Sequence, residues 1–222
     1  MKIVFYVANA LVLPPAMHFA WHFYKNKGGN IQFSRLRTTI IILAVTAVVT
    51  SLQFLFPDII PSLNRNRQAM LEGEWWRLIT PLFIQPMGVW QCVFNGIFFL
   101  AFVPIAEHLY GRGLLLIYFG AAIVGQATIL YWETTPGGMT TSGGGSSTAL
   151  YGVMGALYLY VFINRILFPK GYLFIPLAGF LGAVVLIFFE DGHAPALLTG
   201  ALIGLLLRAY AKKISPYPQV HG

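Results

Sequence analysis

Long runs of apolar residues separated by short polar segments dominate the chain. A helix that crosses the hydrocarbon core of a bilayer needs roughly 20 consecutive apolar residues. Runs of this kind predict six membrane-spanning helices, since the strands of a membrane barrel would instead alternate apolar and polar residues with period two. The predicted spans are residues 39–57, 89–109, 113–132, 147–167, 171–190 and 194–211.

A further apolar stretch, residues 3–24, precedes these spans and contains two prolines and two histidines. It predicts an additional N-terminal helix, either kinked within the membrane or lying at its interface. The chain then divides into three parts. We expect an N-terminal apolar helix and cytoplasmic linker in residues 1–37, a membrane core in residues 38–213 and a short C-terminal tail in residues 214–222.

Composition agrees with this pattern. The chain is 57% hydrophobic and 9% charged, whereas an average soluble domain carries about 25% charged residues. A soluble globule is therefore excluded, and so is a disordered chain, because too much apolar surface would remain in water. The fold class that remains is an all-α polytopic membrane protein.

The formal net charge of +7 comes from 14 basic and 7 acidic residues. The basic residues are scattered over short loops rather than gathered in one stripe, which argues against nucleic-acid binding and indicates membrane topology. If the loop before the first core span is cytoplasmic, ten basic residues lie inside, and Arg65, Arg67 and Arg77 lie outside. Glu107 is then the one internal acid. The positive-inside pattern and short loops favour a prokaryotic inner membrane.

Polar residues inside apolar spans are functional candidates, because an unpaired polar group in hydrocarbon costs several kcal/mol. Gln91 and Asn95 lie four residues apart and share one face of the second core span. The other candidates open the fourth and sixth spans, at the same predicted external end of the bundle. They are Ser146, Ser147, Thr148 and His193.

The fourth span begins in GGGSSTALYGVMGALY, where glycines lead into a serine at a helix start. One interpretation is catalytic, because the first N–H groups of a helix lack intrahelical partners and can face a developing oxyanion beside a serine nucleophile. The other is structural, because serine and threonine are good N-cap residues and small residues permit close helix packing. Composition alone favours the structural interpretation.

The sixth span carries Gly200 and Gly204 four residues apart, a spacing that permits close approach of a neighbouring helix. At about 100° per residue, His193 lies within roughly 20° of both glycines around the helix axis, so it faces the same neighbour. A histidine at a helix end is otherwise a solvated or capping residue. His193 is nevertheless the histidine that shares the external side with Ser147, and no lysine lies there to act as a base instead.

Together these segments resemble the rhomboid family of intramembrane serine proteases. The resemblance covers residues 39–211 and rests on the order of several motifs. They are EWWRL in the first external loop, Gln-x-x-x-Asn in the second span, EHLYGRG at its end, GSSTALYGVMGA in the fourth span and Gly-x-x-x-Gly in the sixth.

This resemblance implies a rhomboid-like six-helix core with Ser147 as nucleophile and Tyr151 beside the catalytic histidine. It also implies Asn95 as an oxyanion donor, with Gln91 in support, and a structural role for Arg77. Members of the family need no metal, cofactor or ATP. The expected substrates are single-span membrane proteins cleaved near the surface of the lipid bilayer.

Three positions depart from the family pattern. Gln91 stands where the family usually has histidine, and Thr148 stands where glycine follows the nucleophile. Leu197 occupies the position of the catalytic histidine, and His193 lies one turn earlier on nearly the same helix face, about 6 Å further toward the external surface.

Two hypotheses follow from these departures. In the first, Ser147 and His193 form the catalytic dyad of an active endopeptidase. In the second, the chain is a catalytically inactive rhomboid-fold pseudoprotease that binds transmembrane helices without cutting them. A transporter is disfavoured, because it would require intramembrane charges or paired broken helices, and the sequence shows neither strongly.

Overall fold

The computed structural model describes residues 2–27, 31–32, 35–132 and 143–212, and this part of the chain is predominantly helical. The all-helical membrane fold predicted from the sequence is confirmed. Most of the Gly/Ser/Thr-rich segment that precedes the fourth span, residues 133–142, lies outside the described residues, as does the predicted C-terminal tail.

Ten α-helices are assigned within the described residues. Short 3-10 turns flank several of them, and a π-helical turn, Leu116–Gly120, joins α6 to α7. The helices are α1 (Lys2–Lys27), α2 (Arg37–Leu55), α3 (Ile59–Leu63), α4 (Arg67–Leu71), α5 (Val89–Tyr110), α6 (Gly113–Leu115), α7 (Ala121–Trp132), α8 (Ser147–Ile163), α9 (Phe174–Ile187) and α10 (His193–Leu206).

Four helical segments of the described chain are long and apolar enough to cross a membrane, and two shorter apolar helices, α8 and α10, lie at the other two predicted spans. Several predicted spans run past the observed helix ends, because apolar residues continue into 3-10 and other turns that no longer follow the α-helical hydrogen-bond pattern. The long segments are Arg37–Leu55, Val89–Tyr110, Gly113–Trp132 and Lys170–Ile187.

Helix α8 lies at the centre of the bundle, and α10 packs closely along it. A Cβ atom on Gly200 would lie 1.9 Å from the carbonyl oxygen of Gly152, and one on Gly155 would lie 1.9 Å from the carbonyl oxygen of Leu197. Real Cβ atoms essentially never come so close to other atoms. The close helix contact predicted for Gly200 is therefore confirmed, and it depends on glycine in both helices.

The N-terminal helix α1 is part of the bundle. Gly182 of α9 packs directly against the backbone of α1, where a Cβ would lie 2.7 Å from the carbonyl oxygen of Ala8. The Tyr158 hydroxyl of α8 donates a hydrogen bond to the carbonyl of Val12. Tyr24 donates across to the Leu100 carbonyl of α5 at 2.9 Å. Helix α1 therefore packs along α9 and α5.

At the end of the bundle that carries the basic loops, Glu107 of α5 holds the start of α2. Its two carboxylate oxygens accept the backbone N–H groups of Thr38 at 2.9 Å and Thr39 at 2.7 Å. The first N–H groups of a helix have no intrahelical partner, and a negative charge there is favourable. The one acid predicted on the cytoplasmic side is thus a buried cap for another helix.

At the opposite end, the loop between α2 and α5 folds around Arg77. This buried guanidinium pairs with Glu74 at 2.5 Å and donates to the backbone carbonyls of Pro61 at 2.9 Å and Asn64 at 2.8 Å. One side chain therefore joins α3, the segment that follows it and the 3-10 turn Trp75–Leu78. This arrangement supports the structural role that the resemblance implies for Arg77.

Candidate active site

Glycine residues bring the chain into α8 through a tightly enclosed path. A Cβ on Gly144 would lie 2.9 Å from the Ile84 side chain, and Gly145 has φ of 128°, a conformation that residues with side chains rarely adopt. The N–H of Gly145 donates to the carbonyl of Pro81 at 2.7 Å. The glycines predicted to matter for ligand approach are thus also required by the fold of this segment.

The external loop also anchors this glycine segment. The backbone N–H of Arg65 donates to the Gly143 carbonyl at 2.9 Å, and its guanidinium donates to the Gln126 side chain of α7 at 2.6 Å. This contact could not be predicted from the sequence, because Arg65 lies far from Gly143 and Gln126 along the chain.

Ser147 and His193 meet at the N-terminal ends of α8 and α10. The Nε2 atom of His193 lies 2.9 Å from the Oγ atom of Ser147. The Tyr151 ring packs against the imidazole with ring centroids 4.5 Å apart. A proton can pass directly between groups at roughly 2.6–3.2 Å. The structure therefore places the predicted base within reach of the predicted nucleophile.

The register between α8 and α10 explains why His193 stands level with Ser147. Leu197 is fully buried, and its carbonyl lies against Gly155 of α8. Gly155 is eight residues beyond Ser147, a distance of about 12 Å along a helix. Leu197, where the resemblance implies a histidine, therefore lies deeper in the bundle than Ser147, and His193 is the residue level with the serine.

Asp191 also belongs to this cluster, although the charge pattern along the chain placed it simply on the external side, like every acid except Glu107. Its Oδ1 atom lies 2.5 Å from His193 Nδ1 and accepts the backbone N–H of His193 at 2.9 Å. The signal for it was the Asp-x-His spacing just before a helix start, where a short acidic side chain can turn back onto the histidine.

The environment of Asp191 favours its ionised form. Burial raises the pKa of the Asp191 carboxyl, but the charge of His193 and the hydrogen bonds from it outweigh burial and hold this pKa below its usual range. Asp191 lies in the connection between α9 and α10, and it is 8% exposed. A negative charge therefore lies beside the Nδ1 atom of His193.

A cavity of about 580 Å³ lies over the Ser147–His193 pair. Its lining is partly polar, so water has a place beside the serine hydroxyl. The residues around it come from the external loop and from the ends of α5, α7, α8 and α10, and include Arg65, Met87, Gln91 and Gln126. Within the described residues, no three His, Cys, Asp or Glu side chains cluster to hold a metal ion.

Gln91 and Asn95 both lie against the glycine segment. Gln91 Nε2 donates to the Gly144 carbonyl at 2.7 Å, and Asn95 Nδ2 donates to the Gln85 side chain at 2.7 Å. An amide nitrogen carries two hydrogens, so each side chain keeps one for a ligand. Gln91 lines the main cavity, whereas Asn95 lines an adjoining groove between α2 and α5.

Two further positions contact the cluster. The Thr148 methyl group fills the space left by Gly125 of α7, where a Cβ would lie only 2.4 Å away. This packing accounts for threonine at position 148, where the resemblance leads us to expect glycine. The Tyr151 hydroxyl donates a 2.5 Å hydrogen bond to Asn9 of α1, which joins the ring beside the imidazole to the N-terminal helix.

The helical bundle, with a polar cavity at one end of its apolar spans, defines an integral, multi-pass membrane protein. A family model described as the rhomboid domain matches residues 72–213, which is more than half of the chain. The chain therefore belongs to the rhomboid family.

Two curated relatives come from Bacillus subtilis (strain 168). The rhomboid protease GluP is 31% identical over 107 residues, which are 48% of this chain and 20% of GluP. The putative rhomboid protease YdcA is 34% identical over 97 residues, which are 43% of this chain and 46% of YdcA. The matched region thus spans less than half of either relative. No solved structure matches the chain.

Proposed function

We propose that this protein is an intramembrane serine endopeptidase in which Ser147 and His193 form the catalytic pair. The observation that carries the proposal is the 2.9 Å contact between Ser147 Oγ and His193 Nε2 beneath a polar cavity. Membership of the rhomboid family and two relatives named as rhomboid proteases support the same reaction class.

In the proposed reaction, Ser147 Oγ attacks the carbonyl carbon of the scissile peptide bond as His193 Nε2 takes the hydroxyl proton. The imidazolium then gives this proton to the leaving amine, and the C–N bond breaks. A water molecule from the cavity next attacks the acyl-enzyme with His193 again as base. This step releases the new carboxyl end and restores the serine hydroxyl.

The oxyanion formed in each step needs hydrogen-bond donors. The backbone N–H of Ser147 lies in the first turn of α8, where N–H groups lack intrahelical partners. The uncommitted amide hydrogens of Gln91 and Asn95 lie near the same backbone and are the proposed side-chain donors. Loss of one such donor costs about 10²–10³ in kcat in well-studied serine proteases.

The proposed substrates are single-span membrane proteins. A groove of about 260 Å³ between α2 and α5 has a mainly apolar lining and reaches from lipid-facing Leu43 and Phe54 to Asn95 and Ser146. A helical segment can therefore approach the site from the bilayer while the cavity above supplies water. Both requirements must be met for peptide hydrolysis within a membrane, because hydrocarbon excludes water.

A second candidate function is that of a pseudoprotease that binds transmembrane helices without hydrolysis. The observation in its favour is Leu197 at the family position of the catalytic histidine. In this case the groove between α2 and α5 binds helices, and the contact between Ser147 and His193 performs no chemistry.

The test is to purify the protein, place it in lipid nanodiscs, and measure cleavage of a single-span reporter together with labelling by a fluorophosphonate probe. We expect both signals from the wild type and their loss in Ser147→Ala and His193→Ala. Ser62→Ala is the matched control, because Ser62 is an exposed serine on α3 outside the cavity. Cleavage that persists in Ser147→Ala overturns the proposal, and helix binding without cleavage or labelling in the wild type favours the pseudoprotease.

A further inference from the structure

We infer that Asp191 is a positioning residue that extends the Ser147–His193 pair to a Ser–His–Asp triad. This inference rests on the proposed function, and it goes beyond the serine–histidine dyad that the family resemblance implies. Asp191 does not touch the reacting atoms. It acts through His193, which it contacts from the side opposite Ser147.

The contact with Asp191 determines which imidazole nitrogen of His193 carries the proton. An ionised carboxylate has only acceptor atoms, so the 2.5 Å contact between Asp191 Oδ1 and His193 Nδ1 requires a hydrogen on Nδ1. In neutral histidine, Nε2 is then free of hydrogen and able to accept the Ser147 proton. The aspartate thereby selects the one tautomer that can act as a base toward Ser147.

Asp191 also orients the imidazole ring. Asp191 Oδ1 accepts both the side-chain Nδ1–H and the backbone N–H of His193. A single oxygen atom thus fixes the ring relative to its own backbone, at the residue where α10 begins. Tyr151 packs against the ring from α8 and limits rotation further.

The charge of Asp191 favours the protonated form of His193. Proton transfer from Ser147 creates an imidazolium, and a buried carboxylate beside it stabilises this charge with little screening by water. The Arg65 side chain from the external loop opposes the imidazolium, and Glu190 on the same connection adds a further negative charge at the cavity. Asp191 is the acid in direct contact with the ring, so we expect loss of its charge to affect the imidazolium more than loss of either of the other two charges.

A purely structural role is the alternative to exclude, because Asp191 also accepts a backbone N–H at the start of α10. Asn and Asp serve about equally well at helix starts. Asp191→Asn therefore keeps an acceptor for the backbone and removes the negative charge. Because a single oxygen accepts both N–H groups of His193, the amide oxygen of asparagine can take its place, and the substitution removes mainly the charge. The substitution separates positioning of the imidazole from stabilisation of the helix.

The experiment compares wild type, Asp191→Asn and the control Asp58→Asn in nanodiscs by reporter kinetics, pH profile and thermal unfolding. Asp58 is the other aspartate of the chain, is exposed, and makes no side-chain cap hydrogen bond. Loss of the corresponding aspartate in a soluble serine protease lowers kcat by about 10⁴. For Asp191→Asn we expect kcat to fall at least about 10²-fold, with KM nearly unchanged and the protein still folded at the assay temperature.

The pH profile adds a readout that helix capping does not affect. Without the carboxylate, the imidazolium loses its main partner while Arg65 remains, so the acidic limb of kcat against pH moves to lower pH in Asp191→Asn. A kcat within about twofold of wild type and an unchanged pH profile in Asp191→Asn overturn the inference.

A measurement on the wild type keeps the inference testable whether or not the variant folds and whether or not peptidase activity is found. Nitrogen NMR of histidine-labelled protein, assigned by loss of a signal in His193→Gln, reports which ring nitrogen is protonated. We expect the Nδ1–H tautomer for neutral His193. The Nε2–H tautomer overturns the role of Asp191. Absence of cleavage and probe labelling in the wild type, with the Nδ1–H tautomer present, contradicts the proposed function alone.

Discussion

The side-chain amide of Gln91 donates a 2.7 Å hydrogen bond to the backbone carbonyl of Gly144, so α5 holds the glycine segment that leads into α8. The predicted polar face of the second span therefore contacts the backbone just before Ser147. Neighbouring Gly145 lies so close to this amide that a Cβ there would be 2.4 Å from Gln91 Nε2.

We expect Gly145→Ala to lower reporter cleavage strongly, because the new methyl group displaces Gln91 and the φ of 128° becomes strained at a cost of about 1–3 kcal/mol. Kinetics in nanodiscs and thermal unfolding check both effects. Gly171→Ala is the matched control, since nothing lies within 4 Å of a Cβ at that position. Equal activity of Gly145→Ala and Gly171→Ala would contradict this interpretation of the glycine segment.

Gly200→Ala tests the contact between α8 and α10. The new methyl group would meet the Gly152 backbone, which cannot move as a side chain can. We expect a loss of about 1–3 kcal/mol in the free energy of unfolding, as in other overpacked cores. In Gly96→Ala, where the space is open, we expect a gain of up to about 1 kcal/mol from helix propensity. Denaturant titration in micelles measures the difference, and its absence would mean that the helices pack less closely than described.

Glu107→Gln tests how the start of α2 is held. The neutral amide keeps one acceptor oxygen for the N–H groups of Thr38 and Thr39 and places an NH₂ group against the other. We expect a loss of about 1–3 kcal/mol in the free energy of unfolding, since hydrogen bonds to a buried charge are replaced by an unmatched donor. The control Glu72→Gln changes an exposed glutamate and should shift stability by less than about 0.5 kcal/mol.

The lowered pKa of Asp191 predicts how stability depends on pH. A carboxyl group whose pKa is lower in the folded protein stabilises the fold above its unfolded pKa of about 3.9, and this stabilisation is lost as pH falls through the folded value. The stability difference between wild type and Asp191→Asn should therefore persist at pH 5 and shrink only in stronger acid. Thermal unfolding at a series of pH values checks this expectation. A difference that disappears well above pH 4 would show that Asp191 has no stabilising partner.

The sequence was sufficient to locate the spans, because each apolar run must bury its backbone hydrogen bonds within a helix in hydrocarbon. It was also sufficient to pair His193 with Ser147 as candidates, since few polar residues share that end of the bundle. It placed Gln91 and Asn95 on one helix face, but their acceptors, Gly144 and Gln85, lie in loops whose path depends on tertiary packing.

The relative register of α8 and α10 could not be predicted from the sequence. Leu197 suggested a missing base, because the family spacing assumes a fixed offset between the two helices. That offset depends on which small residues interlock, here Gly155 against the Leu197 carbonyl and Gly200 against the Gly152 carbonyl. Asp191 was overlooked for a related reason, since its contact with His193 forms only when the connection after α9 turns back at the start of α10.

The position of α1 has a practical consequence for shortened versions of the protein. A fragment trimmed to the family-matched residues 72–213 would lack the acceptors that α1 supplies to the hydroxyls of Tyr151 and Tyr158. Each lost hydrogen bond costs about 0.5–1.5 kcal/mol, and more where an unsatisfied hydroxyl then faces lipid. Truncation would therefore loosen the Tyr151 ring that packs against the His193 imidazole. A shortened version for biochemical work should accordingly retain the first 27 residues.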